Sequence, residues 1–334
     1  MERQPFFEVS ITRKGIGIGI ALAIALLLSW GIPAVVQALW EKESLVAPAL
    51  IWCAFGYVTM RLIFERHSRA ALSILAALFL LGLCLSSWVI PYDPVSDVSQ
   101  FRSEGPSWAH YLGTDYLGRD MLVRLIKGTE GFFLPGLLAM VIALIAGVSL
   151  GAIAGYVGGR ADKAITFLTT LIGSFPRLVF ILLVCTIPEE PDMYLIGSLV
   201  GVLFIPQVSE AIRRRVLALK AEDFIVASTA HGIGFARILF YHIVWLQCFP
   251  ELVRQGLFIF VYMIFLETSL SYLEFFGVPA EVPSWGKMLN NATALMFRGT
   301  YWHALVPTAA IVFTTLGVTA LGDVVVGGTQ EERL

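Results

Sequence analysis

Charge is scarce in this sequence: only 14% of the residues are Asp, Glu, Lys or Arg, whereas 57% are hydrophobic. With a mean hydropathy of +0.78, a chain of this length cannot hide its apolar side chains in one water-soluble core, so its solvent has to be lipid. Cysteine is scarce as well. The four residues Cys53, Cys84, Cys185 and Cys248 fall in or beside apolar runs with no CxxC spacing, which argues against a disulfide or zinc framework and for packing.

Catalytic patterns are missing. His67, His110, His231, His242 and His303 are scattered, no HExxH occurs, and no pair of carboxylates sits mid-run where it could relay protons. The glycines of 113–118 imitate a phosphate-binding loop, but Arg119 and Asp120 stand where Lys and Ser or Thr are needed to hold phosphate and magnesium. The chain is therefore expected to be no enzyme and to bind no metal, cofactor or nucleic acid. Repeats of fixed period and low-complexity tracts are absent too.

What the sequence does have is long uncharged runs. A helix crosses the hydrocarbon layer with about 20 apolar residues, and about eight runs reach or approach that length. They lie at 16–40, 45–64, 70–91, 132–157, 164–187, 193–207, 252–267 and 303–326. Lipid offers no partner to an unpaired amide, so helices are expected, and the alternation of a barrel is absent. Arg13 and Lys14 precede the first run as in a signal peptide, but its apolar stretch exceeds the usual ~7–15 residues.

Basic residues cluster on alternate connections: Arg3, Arg13 and Lys14; Arg61, Arg66 and Arg69; Arg160 and Lys163; and Arg213, Arg214, Arg215 and Lys220. Placed in the cytoplasm, they put both termini there and leave 92–131 and 268–300 outside. Within 92–131, the amphipathic stretch 121–127 is expected to lie along the membrane surface. The inner connection 212–251 interleaves apolar and charged residues and contains Gly232 and Gly234, a pattern for short surface helices broken by a glycine turn. Gly147, Gly151, Gly155 and Gly159 recur every fourth residue, which makes either a helix-packing seam or a pathway lining. Glu210, Glu267 and Asp323 fall near run ends, where the interface can hydrate them.

Motifs in order along the chain resemble those of a known family. Leu112-Gly-Thr-Asp-Tyr-Leu-Gly-Arg-Asp120 is similar to the LGTDxLGRD signature of the C-type permease subunit in dipeptide, oligopeptide and nickel ATP-binding-cassette (ABC) importers. Pro91-Tyr-Asp-Pro94, Gly155-Tyr-Val-Gly-Gly159, Glu267 with Leu270-Ser271-Tyr-Leu273, Pro283-Ser-Trp-Gly-Lys-Met-Leu289 and Gly322-Asp323 extend the resemblance over 91–326. Phe224-Ile-Val-Ala-Ser-Thr-Ala-His-Gly232 looks like the family's EAAxxxG loop, with Arg237 and His242-Ile-Val244 following. Val226 stands in place of the motif's Glu, Ser228 in place of its second Ala and Trp245 in place of a proline.

The resemblance implies an all-α integral membrane protein. Residues 70–334 form a six-span importer-type permease core, and 1–69 form an added transmembrane hairpin. It implies half of a translocation pathway for a peptide-like or other small solute in a bacterial or archaeal cytoplasmic membrane. A second permease subunit completes the path, and two separate ATPase subunits hold the ATP and magnesium. A solute-binding protein works outside. The coupling residues it implies are Glu222, Asp223, Phe224, Val226, Ala227, Ser228, Gly232 and Arg237. On the outer side, Gly113, Thr114, Asp115, Gly118, Arg119 and Asp120 form either a loop closed by an Asp115–Arg119 hydrogen bond or a contact for a partner or solute. Glu267, Ser271, Ser284, Trp285 and Gly286 belong to the outer loop, where Trp285 is either an interfacial anchor or a binding-protein contact. Two other functions stay open: a mechanical subunit of an ATPase-linked assembly without solute flux, and a secondary transporter or channel.

Overall fold

The computed structural model describes residues 102–188, 192–274, 282–296 and 300–331. The 1–69 hairpin, the 70–91 run, Pro91-Tyr-Asp-Pro94, Cys53 and Cys84 lie outside them. The described residues build helices only: α1 Met121–Lys127, α2 Phe133–Val157, α3 Gly159–Gly173, α4 Arg177–Cys185, α5 Met193–Leu219, α6 Asp223–Ala230, α7 Phe249–Tyr272, α8 Trp285–Met296 and α9 Trp302–Glu331. A π-helical segment, Arg237–Trp245, lies between α6 and α7. Four stretches, Met121–Val157, Met193–Leu219, Phe249–Tyr272 and Trp302–Val326, are long and apolar enough to cross a membrane, and α3 with α4 makes a fifth if the pair is one span. This is an all-α membrane protein.

Helices α2 and α5 form the most extensive pair and run parallel. A Cβ on Gly147 would come within 2.7 Å of Val208, one on Gly155 within 2.9 Å of the Arg213 carbonyl, and one on Gly151 would collide with the Ser209 carbonyl. Helix α5 answers with Gly197 against Pro135 and Gly201 against Ile142. The glycine series is thus a packing seam, as small residues allow in lipid, where tight van der Waals fit replaces the hydrophobic drive. Gly159 does not belong to it. Gly158 and Gly159 take φ of +71° and +60°, the helix breaks there, and a Cβ on Gly159 would meet nothing. Helix α7 crosses α2 antiparallel, with Gly136 against Phe260 and Gly256 against Met140. The bundle therefore has one end marked by Trp285 and another marked by Arg213.

Three expectations change. The run 164–187 is two helices bent by 69° between Gly173 and Arg177. Pro176 lacks an amide proton, and its ring disfavours helical backbone at the residue before it, Phe175. The run 193–207 continues as helix to Leu219, so the first residues of the 212–251 connection belong to α5: Ile212, Val216 and Leu219 are buried on its inner face. Finally, α1 presents its apolar face to protein. Met121, Leu125 and Ile126 are buried with Phe132, Trp285 and Met288, and a short 3₁₀ turn leads straight into α2.

Candidate functional site: two ends of a helical bundle

At the Arg213 end, residues 220–248 fold into a knob. Glu222 precedes α6 in extended conformation, and Asp223 places its negative charge in the helix's first turn, where the peptide dipoles favour it. The helix stops at His231–Gly232. Ile233 donates its amide to the Ser228 carbonyl and His231 to that of Ala227, and Gly232 adopts φ +73°, a conformation costly for a residue with a Cβ. The knob is fixed from within by Ile225, Ile238, Leu239, Ile243 and Val244, all buried in the same core as α5. Phe224 packs against that core half-buried, while Glu222, Asp223, Ala227, Gly232 and Arg237 are exposed and Ser228 is half-buried. Val226 lies in α6.

The knob is also tied to the end of α2. Phe235 meets the Tyr156 ring edge-on at 5.0 Å, and the Lys220 ammonium donates to the Tyr156 carbonyl at 2.6 Å. Tyr156 is the aromatic of the Gly155-Tyr-Val-Gly-Gly159 motif, which thus lies against the 222–237 loop. Nearby, Arg213 grips Asp162 with two hydrogen bonds, joining α3 to α5. No sequence pattern flagged that pair, because its members are 51 residues apart.

At the Trp285 end, the 113–120 motif is a knot of internal hydrogen bonds. Gly113 and Gly118 have φ of +76° and +86°. The Asp115 carboxylate accepts from the Leu117 and Arg119 amides at 2.9 Å and from the Arg119 guanidinium at 2.7 Å. The loop closure read from sequence is therefore present. Asp120 caps α1 through the Leu122 and Val123 amides and receives His110 at 2.8 Å. Gly113, Thr114, Asp115, Gly118 and Arg119 are buried; Tyr116 and Leu117 form the exposed tip.

Two indoles and an imidazole lock this segment to the bundle. Trp285 donates to the Leu125 carbonyl and Trp302 to the Leu112 carbonyl, both at 2.8 Å, and His303 donates through Nε2 to the Thr114 carbonyl at 2.8 Å. Trp285 is fully buried and edge-on to Phe132 at 4.9 Å, so it is an internal pin and neither an interfacial anchor nor an exposed contact. Glu267 also departs from expectation. It is fully buried, not hydrated: its Oε1 accepts from Ser284 at 2.5 Å and Ser271 at 3.0 Å. Gly286 fits because a Cβ there would strike the Thr268 carbonyl. Glu267, Ser271, Ser284, Trp285 and Gly286, brought together from two parts of the chain, form one clasp between α7 and α8.

Cys185 and Cys248 are buried thiols, and among the described residues no group of His, Cys, Asp and Glu is arranged to hold a metal. A polar chain through Arg177, Gln207, Gln255 and Glu251 escaped the sequence reading. Its signal was available: Arg177 is a lone cation inside an apolar run, directly after Phe175-Pro176.

Residues 147–328, from the seam of α2 through the knob to α9, match the family described as binding-protein-dependent transport system inner membrane component. The chain is similar to the di/tripeptide transport system permease protein DppC of Pseudomonas aeruginosa, at 31% identity over 265 residues, covering 77% of this chain and 86% of that one. It is similar to the dipeptide transport system permease protein DppC of Alkalihalophilus pseudofirmus, at 32% identity over 66% of this chain and 72% of that one. The glutathione transport system permease protein GsiD of Pectobacterium atrosepticum is 31% identical over 78% of this chain and 86% of its own.

Proposed function

We propose, from the premise that this chain belongs to the family of binding-protein-dependent transport system inner membrane components, that it is one half of an ABC importer's membrane pathway. A second permease subunit supplies the other half. Two ATPase subunits, which hold the ATP and magnesium, dock beneath it at Glu222, Asp223, Ala227 and Arg237. An extracytoplasmic binding protein delivers a short peptide or peptide-like solute to the Trp285 end. The chain is then a multi-pass protein of the inner membrane with both termini in the cytoplasm, and ATP hydrolysis belongs to its partners.

The observation that carries this reading is the construction of the knob. Its outer residues are open for docking, while its inner residues are continuous with the core that holds α5 and α2. A rigid-body push on α6 is therefore passed to α5 through Ile225 and Leu239, and to α2 through Phe235 and Tyr156. Packed cores transmit such displacements because they are close-packed and do not yield continuously. Val226 stands where the family motif has Glu, and Glu222 and Asp223 at the start of α6 keep acidic groups exposed on the knob.

The reading is tested by purifying the tagged chain in mild detergent and identifying what accompanies it, then crosslinking an Ala227→Cys variant to the recovered ATPase. Co-purification of a permease and an ATPase, with crosslinking that depends on the introduced thiol, is the expected result. An intact complex without an ATPase sinks the proposal, and one that hydrolyses ATP but moves no solute favours mechanical work over import.

A further inference from the structure

The bend between α3 and α4 leaves a cation inside the bundle. Arg177 is the first residue of α4, and the bend sits where Gly173 faces Pro206, halfway along α5. Its guanidinium donates to Gln207 Oε1 at 3.0 Å and lies 4.0 Å from the centroid of the Phe204 ring. Gln207 donates through its NH₂ to Gln255 Oε1 at 3.1 Å, and Gln255 through its own to Glu251 at 2.8 Å. The two amides are aligned, each carbonyl toward Arg177 and each NH₂ toward Glu251. Glu251 in turn is paired with Arg254 at 2.8 Å.

This chain of contacts orients Arg177 without neutralising it. Among the described residues no carboxylate pairs with Arg177, and its two neighbours are a neutral amide and an aromatic face. Arg177, Arg254 and Glu251 together carry an excess positive charge, with Arg254 at the bundle end and Arg177 mid-bundle. A cation at membrane depth is expensive and persists where it faces a pathway or a partner. Arg177, Gln207 and Gln255 are each half-buried. In secondary transporters, broken helices at mid-membrane hold polar solutes because the break exposes backbone polarity. A guanidinium that gives one nitrogen to the neutral Gln207 amide and lies against the Phe204 face matches a carboxylate with its remaining donors.

We propose that Arg177, oriented by Gln207 and Phe204, is an intramembrane recognition site for the carboxylate of the transported solute. The proposal rests on the import reading and names the group of the solute that the path engages.

The test uses the complete complex with its binding protein in ATP-loaded proteoliposomes. The probes are a pool of di- and tripeptides and the same pool with C-terminal amides. Arg177→Gln is expected to lower accumulation of the free acids roughly tenfold, the cost of a lost charged hydrogen bond. Peptide amides carried by the wild type are expected to accumulate unchanged, Arg177→Lys to fall between, and binding-protein-stimulated ATP hydrolysis to persist. Equal accumulation of free acids by Arg177→Gln and wild type overturns the site, as does an equal loss for acids and amides. Dissociation of the second permease in Arg177→Gln, restored by Arg177→Lys, assigns the cation to a subunit contact and also overturns it. A wild-type complex that hydrolyses ATP yet accumulates neither pool overturns the import reading instead, and the site with it.

Discussion

Glu267 on α7 accepts a hydrogen bond from Ser284, the residue just before α8, and both are fully buried. The contact bridges 17 residues of chain and also gathers Ser271. It is the polar centre of the clasp that fixes the Trp285 end. A buried hydroxyl without an acceptor loses its hydration for nothing, so removing the carboxyl costs more than the contact itself. Glu267→Ala should destabilise the chain by about 2–4 kcal/mol through two stranded hydroxyls and a cavity. Glu267→Gln, which keeps an acceptor oxygen, should lose far less. Thermal unfolding of the purified complex in detergent measures both, and equal losses would show that the acceptor is not what matters.

Trp285 separates hydrogen bonding from packing. Trp285→Phe keeps an aromatic edge against Phe132 but deletes the donor to the Leu125 carbonyl. The expected cost is about 1–3 kcal/mol, and Trp285→Ala should cost about 3–5 kcal/mol. If the Phe variant is as stable as the wild type, the indole bond to Leu125 contributes nothing.

The seam makes a positional prediction. Gly151→Leu forces side-chain atoms into the Ser209 carbonyl and must spread α2 from α5, lowering the yield of folded protein and its melting temperature. Gly234→Ala, where a Cβ would meet open space, should leave both unchanged. A Gly151→Leu protein that melts with the wild type would contradict the close approach.

Coupling and folding should come apart at Gly232. Proline cannot adopt φ +73°, so Gly232→Pro breaks the turn between α6 and the π-helical segment while leaving α5 and α7 untouched. Unfolding of the spans should move little, whereas ATP hydrolysis should continue with solute accumulation reduced at least roughly tenfold, as expected when a rigid link is lost. Unchanged transport per ATP would remove Gly232 from the coupling path.

The Arg213–Asp162 pair is partly exposed, so its worth is modest. A double-mutant cycle with Asp162→Asn and Arg213→Gln should give a coupling of about 0.5–1 kcal/mol that shrinks at high salt. A coupling insensitive to salt would mean the pair is shielded in the assembled complex.

The solvent of this protein, the rough position of its helices and its family are legible in the amino-acid order. Those depend on local quantities: apolar run length, the alternation of basic connections, and ordered motifs such as 112–120 and 283–289. It also determined that Gly147, Gly151 and Gly155 share a helical face, since four-residue spacing does that in any helix. Tertiary structure alone decided what those residues touch. Glu267 read as hydrated because it stands at the end of an apolar run, and Trp285 as an interfacial anchor or a binding-protein contact because it stands in an outer loop, yet the fold of α8 over α7 and α1 carries both into the interior. The bend before Arg177 was spelled out in Gly173 and Pro176, but a proline in an apolar run can kink a helix or sit quietly within it, as Pro206 does in α5. That Arg177 meets Gln207, and Gln207 meets Gln255, depends on three helices converging from distant parts of the chain. No spacing rule reaches across them, because side-chain pairing between helices is set by packing and not by sequence separation.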